Sequence, residues 1–180
     1  MKKLTLMRHA KSGYGDRAER DFDRVLNARG ERAALAIGRG MRRERAQFDR
    51  VIASDAARVT GTVAMVERGF GTPLGTVWDR RLYLATAQAL LDIIHAQPAI
   101  VDHLLLVGHN PGLEDLVLML VPESADDAIR AAIYEKLPTG SVVELVVEVD
   151  DWAAVTTARL LRFTRPVDLD PELAPDTEGD

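Results

Sequence analysis

Short apolar runs alternate with helix-like periodicity along most of this chain. Residues 3–7 form the first run, which stops abruptly at Arg8-His9 and continues as Ala10-Lys11-Ser12. A polar loop over 11–29 precedes a helix predicted from Gly30 towards Gln47, with Ala34, Ile37, Gly38 and Met41 on one face. A short strand is predicted over 49–53. A helix follows to about residue 68, with Ser54 or Asp55 as its cap, and the glycines and proline of 69–73 end it. A weaker strand lies near Val77, and Thr86 suits the N-cap of a helix over 87–96. The most apolar run, 103–108, is followed at once by a helix expected to take Asn110 as cap. Pro111 would be its first residue, where a missing N–H costs nothing. A further helix over 125–136 stops at Pro138-Thr139-Gly140. The runs 142–149 and 158–163 then flank Asp150-Asp151 with no helix between them, the pattern of an antiparallel hairpin at a sheet edge.

These elements predict an α/β fold, a three-layer α/β/α sandwich whose mostly parallel sheet carries helices on both faces and ends in an antiparallel edge hairpin. One domain is expected over 1–165. The tail 166–180 holds three prolines and six acidic residues, and disorder is expected there.

Composition narrows the function. The 180 residues are 47% apolar and 28% charged, which is globular usage. A net charge of −5 argues against nucleic acid or an anionic membrane as partner. No cysteine is present, so disulfides, thiolate nucleophiles and cysteine-built zinc sites are excluded. No apolar run approaches the roughly 18 residues that span a bilayer, and Met1-Lys2-Lys3-Leu4 lacks the features of a signal peptide. A cytoplasmic location is the expectation.

The chemistry gathers where apolar strands meet helices. Arg8 and His9 close the first strand, at the end where open α/β sheets build their ligand crevices. His109 closes the run Leu104-Leu105-Leu106-Val107-Gly108 in the same way. Ser54 to Thr62 follows the third such strand and sets Arg58 on the first turn of a helix, where free N–H groups favour an anion. Taken singly, each has an ordinary structural reading: a hydrogen-bonded loop histidine, a solvated helix arginine. That reading is retained for His95 and His103, which have no polar company. Together, Arg8, His9, Arg58 and His109 make a pocket of phosphate size, in which a neutral imidazole can attack phosphorus while guanidiniums hold its oxygens.

With these motifs in hand, the chain resembles the histidine phosphatase superfamily, which is phosphoglycerate mutase-like in fold, and within it the SixA-type phosphohistidine phosphatases. Arg8-His9-Ala10 stands at the Arg-His-Gly signature, Ser54 to Thr62 at the serine–arginine–threonine element, and Gly108-His109-Asn110-Pro111 at the second-histidine element. Arg24-Val25-Leu26-Asn27-Ala28-Arg29-Gly30 is similar to the branch's arginine-proline-leucine-threonine segment, and Pro138-Thr139-Gly140 to its late turn. The resemblance implies that His9 is the nucleophile, that Arg8 and Arg58 clamp the phosphoryl oxygens, and that His109 donates to them. Ser12 and Arg24 are candidate substrate contacts. No metal or other cofactor is implied.

Two departures qualify the match. Ala10 replaces the signature glycine, which negative backbone torsions would tolerate. Leu84 stands where many relatives carry an acid after a Leu-Tyr pair. Asp16, Glu19 and Asp79 are candidates to substitute as proton donor through loop geometry. Without an acid an alkoxide leaves slowly, by about 10²- to 10⁴-fold, whereas an imidazole leaves more easily. The expected activity is metal-independent dephosphorylation of phosphohistidine in a protein. The alternatives are a phosphatase or mutase for a small phosphorylated molecule, and a catalytically weak phosphate- or phosphohistidine-binding regulatory module.

Overall fold

The computed structural model describes residues 1–13, 20–123 and 128–174. Its strands are β1 (Lys2–Arg8), β2 (Arg50–Ala53), β3 (Val77–Trp78), β4 (His103–Gly108), β5 (Val142–Val147) and β6 (Arg159–Thr164). They form one sheet in the order β3-β2-β4-β1-β5-β6. The β2–β3, β2–β4 and β1–β4 pairs are parallel, and β1–β5 and β5–β6 antiparallel. The expected edge hairpin is therefore β5–β6, with a one-turn 3-10 helix at Trp152–Ala154 in its connection.

Among the described residues six helices cover the sheet: α1 (Ala28–Arg43), α2 (Ala57–Phe70), α3 (Ala87–His95), α4 (Gly112–Leu120), α5 (Ala128–Glu135) and α6 (Pro166–Leu169). The continuous apolar runs of the central strands have two faces, because successive side chains alternate. Leu4, Leu6, Leu104 and Leu106 pack with α3, α4 and α5. Met7, Leu105 and Val107 pack with α1 and α2. That division makes the three layers.

Local chemistry moved several predicted boundaries. The Asn27 side chain accepts from the Gly30 N–H at 2.8 Å and caps α1, which starts at Ala28 rather than Gly30 and ends at Arg43, short of Gln47. Neither Ser54 nor Asp55 caps α2. Its N-cap is Ala56, and the Ser54 hydroxyl serves His109. The Asn110 amide is likewise spent elsewhere, on Glu114 at 3.0 Å and the Leu137 carbonyl at 3.3 Å, so α4 begins at Gly112 with Pro111 as N-cap. The start of the helix predicted over 125–136 falls partly outside the described residues.

The tail needs the largest correction. Residues 166–169 are helical and 171–173 form a 3-10 turn, where composition alone argued for disorder. Their acids meet a basic face: Arg32 of α1 pairs with Asp170 at 2.7 Å and with Glu172, Arg29 donates to the Leu173 carbonyl, and Leu173 is buried. Residues 175–180 lie outside the described residues.

Helices α1 and α2 cross at glycines. A Cβ on Gly38 would lie 2.1 Å from the Val66 carbonyl oxygen, and one on Gly69 2.4 Å from that of Leu35. Gly38→Ala is accordingly expected to destabilise the fold by about 1–3 kcal/mol through overpacking. Gly13→Ala, whose nearest neighbour would be 3.8 Å away, serves as the near-neutral control. Urea midpoints of the two variants check this.

Candidate active site

Three parallel strands end at one edge of the sheet, and each hands a polar residue to it. The Arg8–Gly108 register joins β1 to β4, and the ladder continues one step further as the His9 N–H donates to the Gly108 carbonyl at 3.0 Å. The Ser54 N–H donates to the Val107 carbonyl at 3.0 Å, which brings in the end of β2. Backbone pairing alone therefore sets His9, Ser54 and His109 side by side. The two imidazole centroids are 5.2 Å apart.

His9 is held at both ring nitrogens. Nδ1 lies 2.8 Å from the Ala10 carbonyl oxygen, which only accepts, so Nδ1 carries the proton. Nε2 then presents its lone pair, and the Arg58 Nε–H donates to it at 3.2 Å. The Ala10 peptide is itself fixed, because its N–H donates to Thr62 Oγ1 at 2.9 Å while the Thr62 hydroxyl donates to the Arg58 carbonyl at 2.6 Å. Ala10 is not among the positive-φ residues, so the alanine in place of glycine carries no strain. Burial, followed by the nearby charges of Arg58, Arg8 and Arg24, drives the His9 pKa down to about 4, although the bond to Ala10 opposes this. Such a nitrogen is neutral and nucleophilic at pH 7.

His109 is also neutral. Burial and then His9, Arg58 and Arg8 lower its pKa to about 3. Its Nε2 is 2.9 Å from Ser54 Oγ, which itself accepts from the Ala56 N–H at 3.3 Å. The Ser54 hydroxyl can either donate to Nε2 or accept from it, and in the first case Nδ1 carries the histidine's own proton. That Nδ1 is buried without a partner among the described residues, and so is Nε of Arg8. Arg8 is steadied from behind by Nη1, which donates to the Leu137 carbonyl at 2.7 Å. The Leu137 N–H in turn donates to Glu114 at 3.1 Å, within the bracket that Asn110 completes.

Arg58 is 3% exposed and extends from the first turn of α2. Asp21 answers its charge twice, through its carbonyl oxygen at 2.7 Å from Nη1 and its carboxylate at 2.9 Å from Nη2. The same carboxylate accepts from the Tyr83 hydroxyl at 2.8 Å and from Arg24 at 3.0 Å. The Tyr83 bond and then the two arginines hold the Asp21 carboxyl down to about 2. Tyr83 closes the ring of contacts by placing its edge on His109, with centroids 5.4 Å apart.

The pocket thus brings together Arg8, His9, Arg58 and His109. Ser12 and Arg24 bond each other at 2.9 Å, and Arg24 acts on His9 through its charge. His95 and His103 are turned to structural partners, the Val155 carbonyl and the Thr5 hydroxyl. Asp16 and Glu19 lie outside the described residues. Asp79 caps the turn at Arg81 and pairs with that side chain at 2.6 Å, which keeps its pKa low, so it is an acceptor and no proton donor. Leu84 is 53% exposed with φ at 49°, a left-handed backbone rare for a branched side chain. Asp21, Tyr83, Asn110 and Glu114 were missed as site residues. The acid-aromatic-acid run just before Arg24 and the i, i+4 spacing of Asn110 and Glu114 were the available signals.

Comparison with known proteins agrees with this geometry. The model of the histidine phosphatase superfamily (branch 1) matches residues 4–82. An uncharacterised protein of Mycobacterium tuberculosis is 36% identical over 150 residues, 83% of this chain and 91% of that one. A candidate phosphohistidine phosphatase SixA from Nakamurella multipartitia superposes with TM-score 0.80 at 29% identity, over 92% of this chain and 96% of that one. Another from Agrobacterium tumefaciens gives 0.74 at 32% identity, over 92% and 98%. The chain belongs to the histidine phosphatase superfamily, in its SixA-type branch, and is a hydrolase of the histidine-nucleophile class.

The two depressed histidines tie stability to pH. Each binds its proton more readily unfolded, near 6.5, than folded, near 4 for His9 and near 3 for His109. Stability is therefore expected to fall as pH drops from about 6.5 towards 4, by on the order of a few kcal/mol in all. Urea unfolding of the wild type and of His109→Gln between pH 7.5 and 4.5 checks this, with the variant showing the shallower decline. A wild-type stability that rises as pH falls through this window contradicts the assignment.

Proposed function

We propose that this protein removes the phosphoryl group from phosphohistidine in a protein substrate, by way of phospho-His9 and without a metal or other cofactor. The observation that carries the phosphoryl reading is the pair of buried, unpartnered nitrogens beside a neutral imidazole: Arg8 Nε, a donor, and His109 Nδ1, a donor when the Ser54 hydroxyl donates to Nε2. Donors held there without reorganisation suit oxygens on which charge builds up in the transition state.

In the first step His9 Nε2 forms a bond to phosphorus as the P–N bond of the substrate breaks. The electron pair goes to the substrate imidazole, which takes a proton from water. His9 retains its Nδ1 proton and becomes cationic, a charge that the Ala10 carbonyl stabilises. In the second step water attacks phosphorus, Nε2 departs with its electron pair, and phosphate and a proton are released. Arg8, Arg58 and His109 hold the three oxygens throughout. Positioning and charge neutralisation are most of what phosphoryl transfer needs.

The leaving group is argued from the carboxylates. Asp21 and Asp79 are held ionised, and Leu84 stands where the resemblance to the family implies an acid in many relatives. Among the described residues neither of these carboxylates serves as a proton donor, which favours a leaving imidazole over an alkoxide. The protein substrate is supported by the likeness to the two SixA structures, which are described as candidate phosphohistidine phosphatases. A cytoplasmic location belongs to the same proposal. Among the described residues no helix is long and apolar enough to cross a membrane.

Quenching the enzyme during turnover of a ³²P-labelled substrate is expected to leave acid-labile, base-stable label on the wild type and none on His9→Ala. Label on any other residue overturns the nucleophile. The acid question has its own test, because log kcat/KM plotted against leaving-group pKa should fall clearly when no donor assists. Phosphoramidates and activated aryl phosphates would then react well, and sugar phosphates poorly. A flat plot would reveal a proton donor and favour small phosphoesters as substrates.

A further inference from the structure

We propose that Asp21 is an internal anion, a tethered stand-in for the phosphoryl group that substrate must displace from Arg58, and that it thereby sets which oxyanions the site accepts. This inference rests on the phosphatase reading above and assigns Asp21 a role within it. An arginine grips a phosphoryl group bidentately through its Nε/Nη edge or its Nη/Nη edge. In Arg58 both edges are engaged: Nε donates to His9 Nε2, Nη2 to the Asp21 carboxylate and Nη1 to the Asp21 carbonyl. A phosphoryl group reaching His9 cannot form either fork until one of these bonds is given up.

The carboxylate is built like a bound ligand. It takes one bond from Arg58, one from Arg24 and one from the Tyr83 hydroxyl, the pattern of donors around an oxyanion. Yet its side chain is 44% exposed on the one-turn 3-10 helix Asp21–Asp23, at the open side of the pocket. Arg58 is buried, and a buried cation without a partner is costly. Asp21 supplies that partner while the site is free, and the phosphoryl group supplies it when substrate is bound.

The exchange has a consequence for selectivity. A monoanion with few oxygens, such as a carboxylate or a phosphodiester, offers Arg58 no more than Asp21 already does. A phosphoryl dianion offers two charges and three oxygens, and it gains Arg8 Nε and His109 Nδ1 besides. The same competition helps expel inorganic phosphate after the second step, since the returning carboxylate takes Arg58 back.

The opposite possibility is that Asp21 merely buttresses Arg58, and the two differ in sign. Isothermal titration of inorganic phosphate at pH 7 reads it without turnover. Asp21→Asn keeps the shape and removes the charge, and Asp21→Ser removes the reach as well. Asp23→Asn changes net charge equally on the same turn. The proposal expects both Asp21 variants to bind phosphate about tenfold more tightly than wild type, since a like charge beside the anion is removed. Asp23→Asn should stay within about twofold. Equal or weaker binding by the Asp21 variants, with the wild type still binding phosphate, overturns the internal-anion role and leaves the phosphatase reading standing. Phosphate binding that survives unchanged in Arg58→Ala overturns the pocket itself.

Discussion

Everything at this site depends on one short hydrogen bond, from His9 Nδ1 to the carbonyl of the next residue, Ala10. A neutral imidazole has two nitrogens and one proton, and the bond decides which nitrogen is left to react. It also turns the ring so that Nε2 meets Arg58 and stands beside His109. The residue that carries this carbonyl is anchored through the preceding peptide, where the Ala10 N–H donates to Thr62. Thr62 belongs to the helix that carries Arg58, so one turn of α2 fixes both the proposed nucleophile and its proposed clamp.

A second constraint is the concentration of positive charge. Arg8 and Arg58 converge on two imidazoles that burial keeps neutral, and Arg24 adds its field from the rim. Such a cluster is tolerable only if each cation is answered. Arg8 is answered by the Leu137 carbonyl and by Glu114 acting through the same bracket, and Arg58 by Asp21. Among the described residues, the nitrogens left without a partner in this pocket include one on Arg8 and one on His109. The site is thus a cationic frame with its gaps at the places where phosphoryl oxygens would sit.

Most of the architecture was legible in the chain because apolar strands ending in polar residues are a local signal. Arg8, His9 and His109 sit where strand periodicity stops, Arg58 lies on the first turn of the helix after β2, and parallel pairing does the rest. What escaped was the chemistry of partners. Asn110 and Ser54 look like helix caps, but tertiary partners claim both side chains. The tail from 166 reads as disordered by composition, and only the arginines of α1 show why residues 166–174 are not. Asp21 was hard to read for the same reason: the acid-aromatic-acid run it opens marks a candidate, but its partner Arg58 is 37 residues away. Pairing across the fold, not propensity, decides these cases.

The central claim is that His9 rests as a neutral imidazole protonated at Nδ1, with Nε2 free to attack. Long-range ¹H–¹⁵N correlation of the histidine rings in the free protein at pH 7 tests it directly. The account predicts a His9 spectrum with a protonated Nδ1 and an unprotonated, hydrogen-bonded Nε2, unchanged down to about pH 5. A proton on Nε2, or an imidazolium at neutral pH, would contradict it.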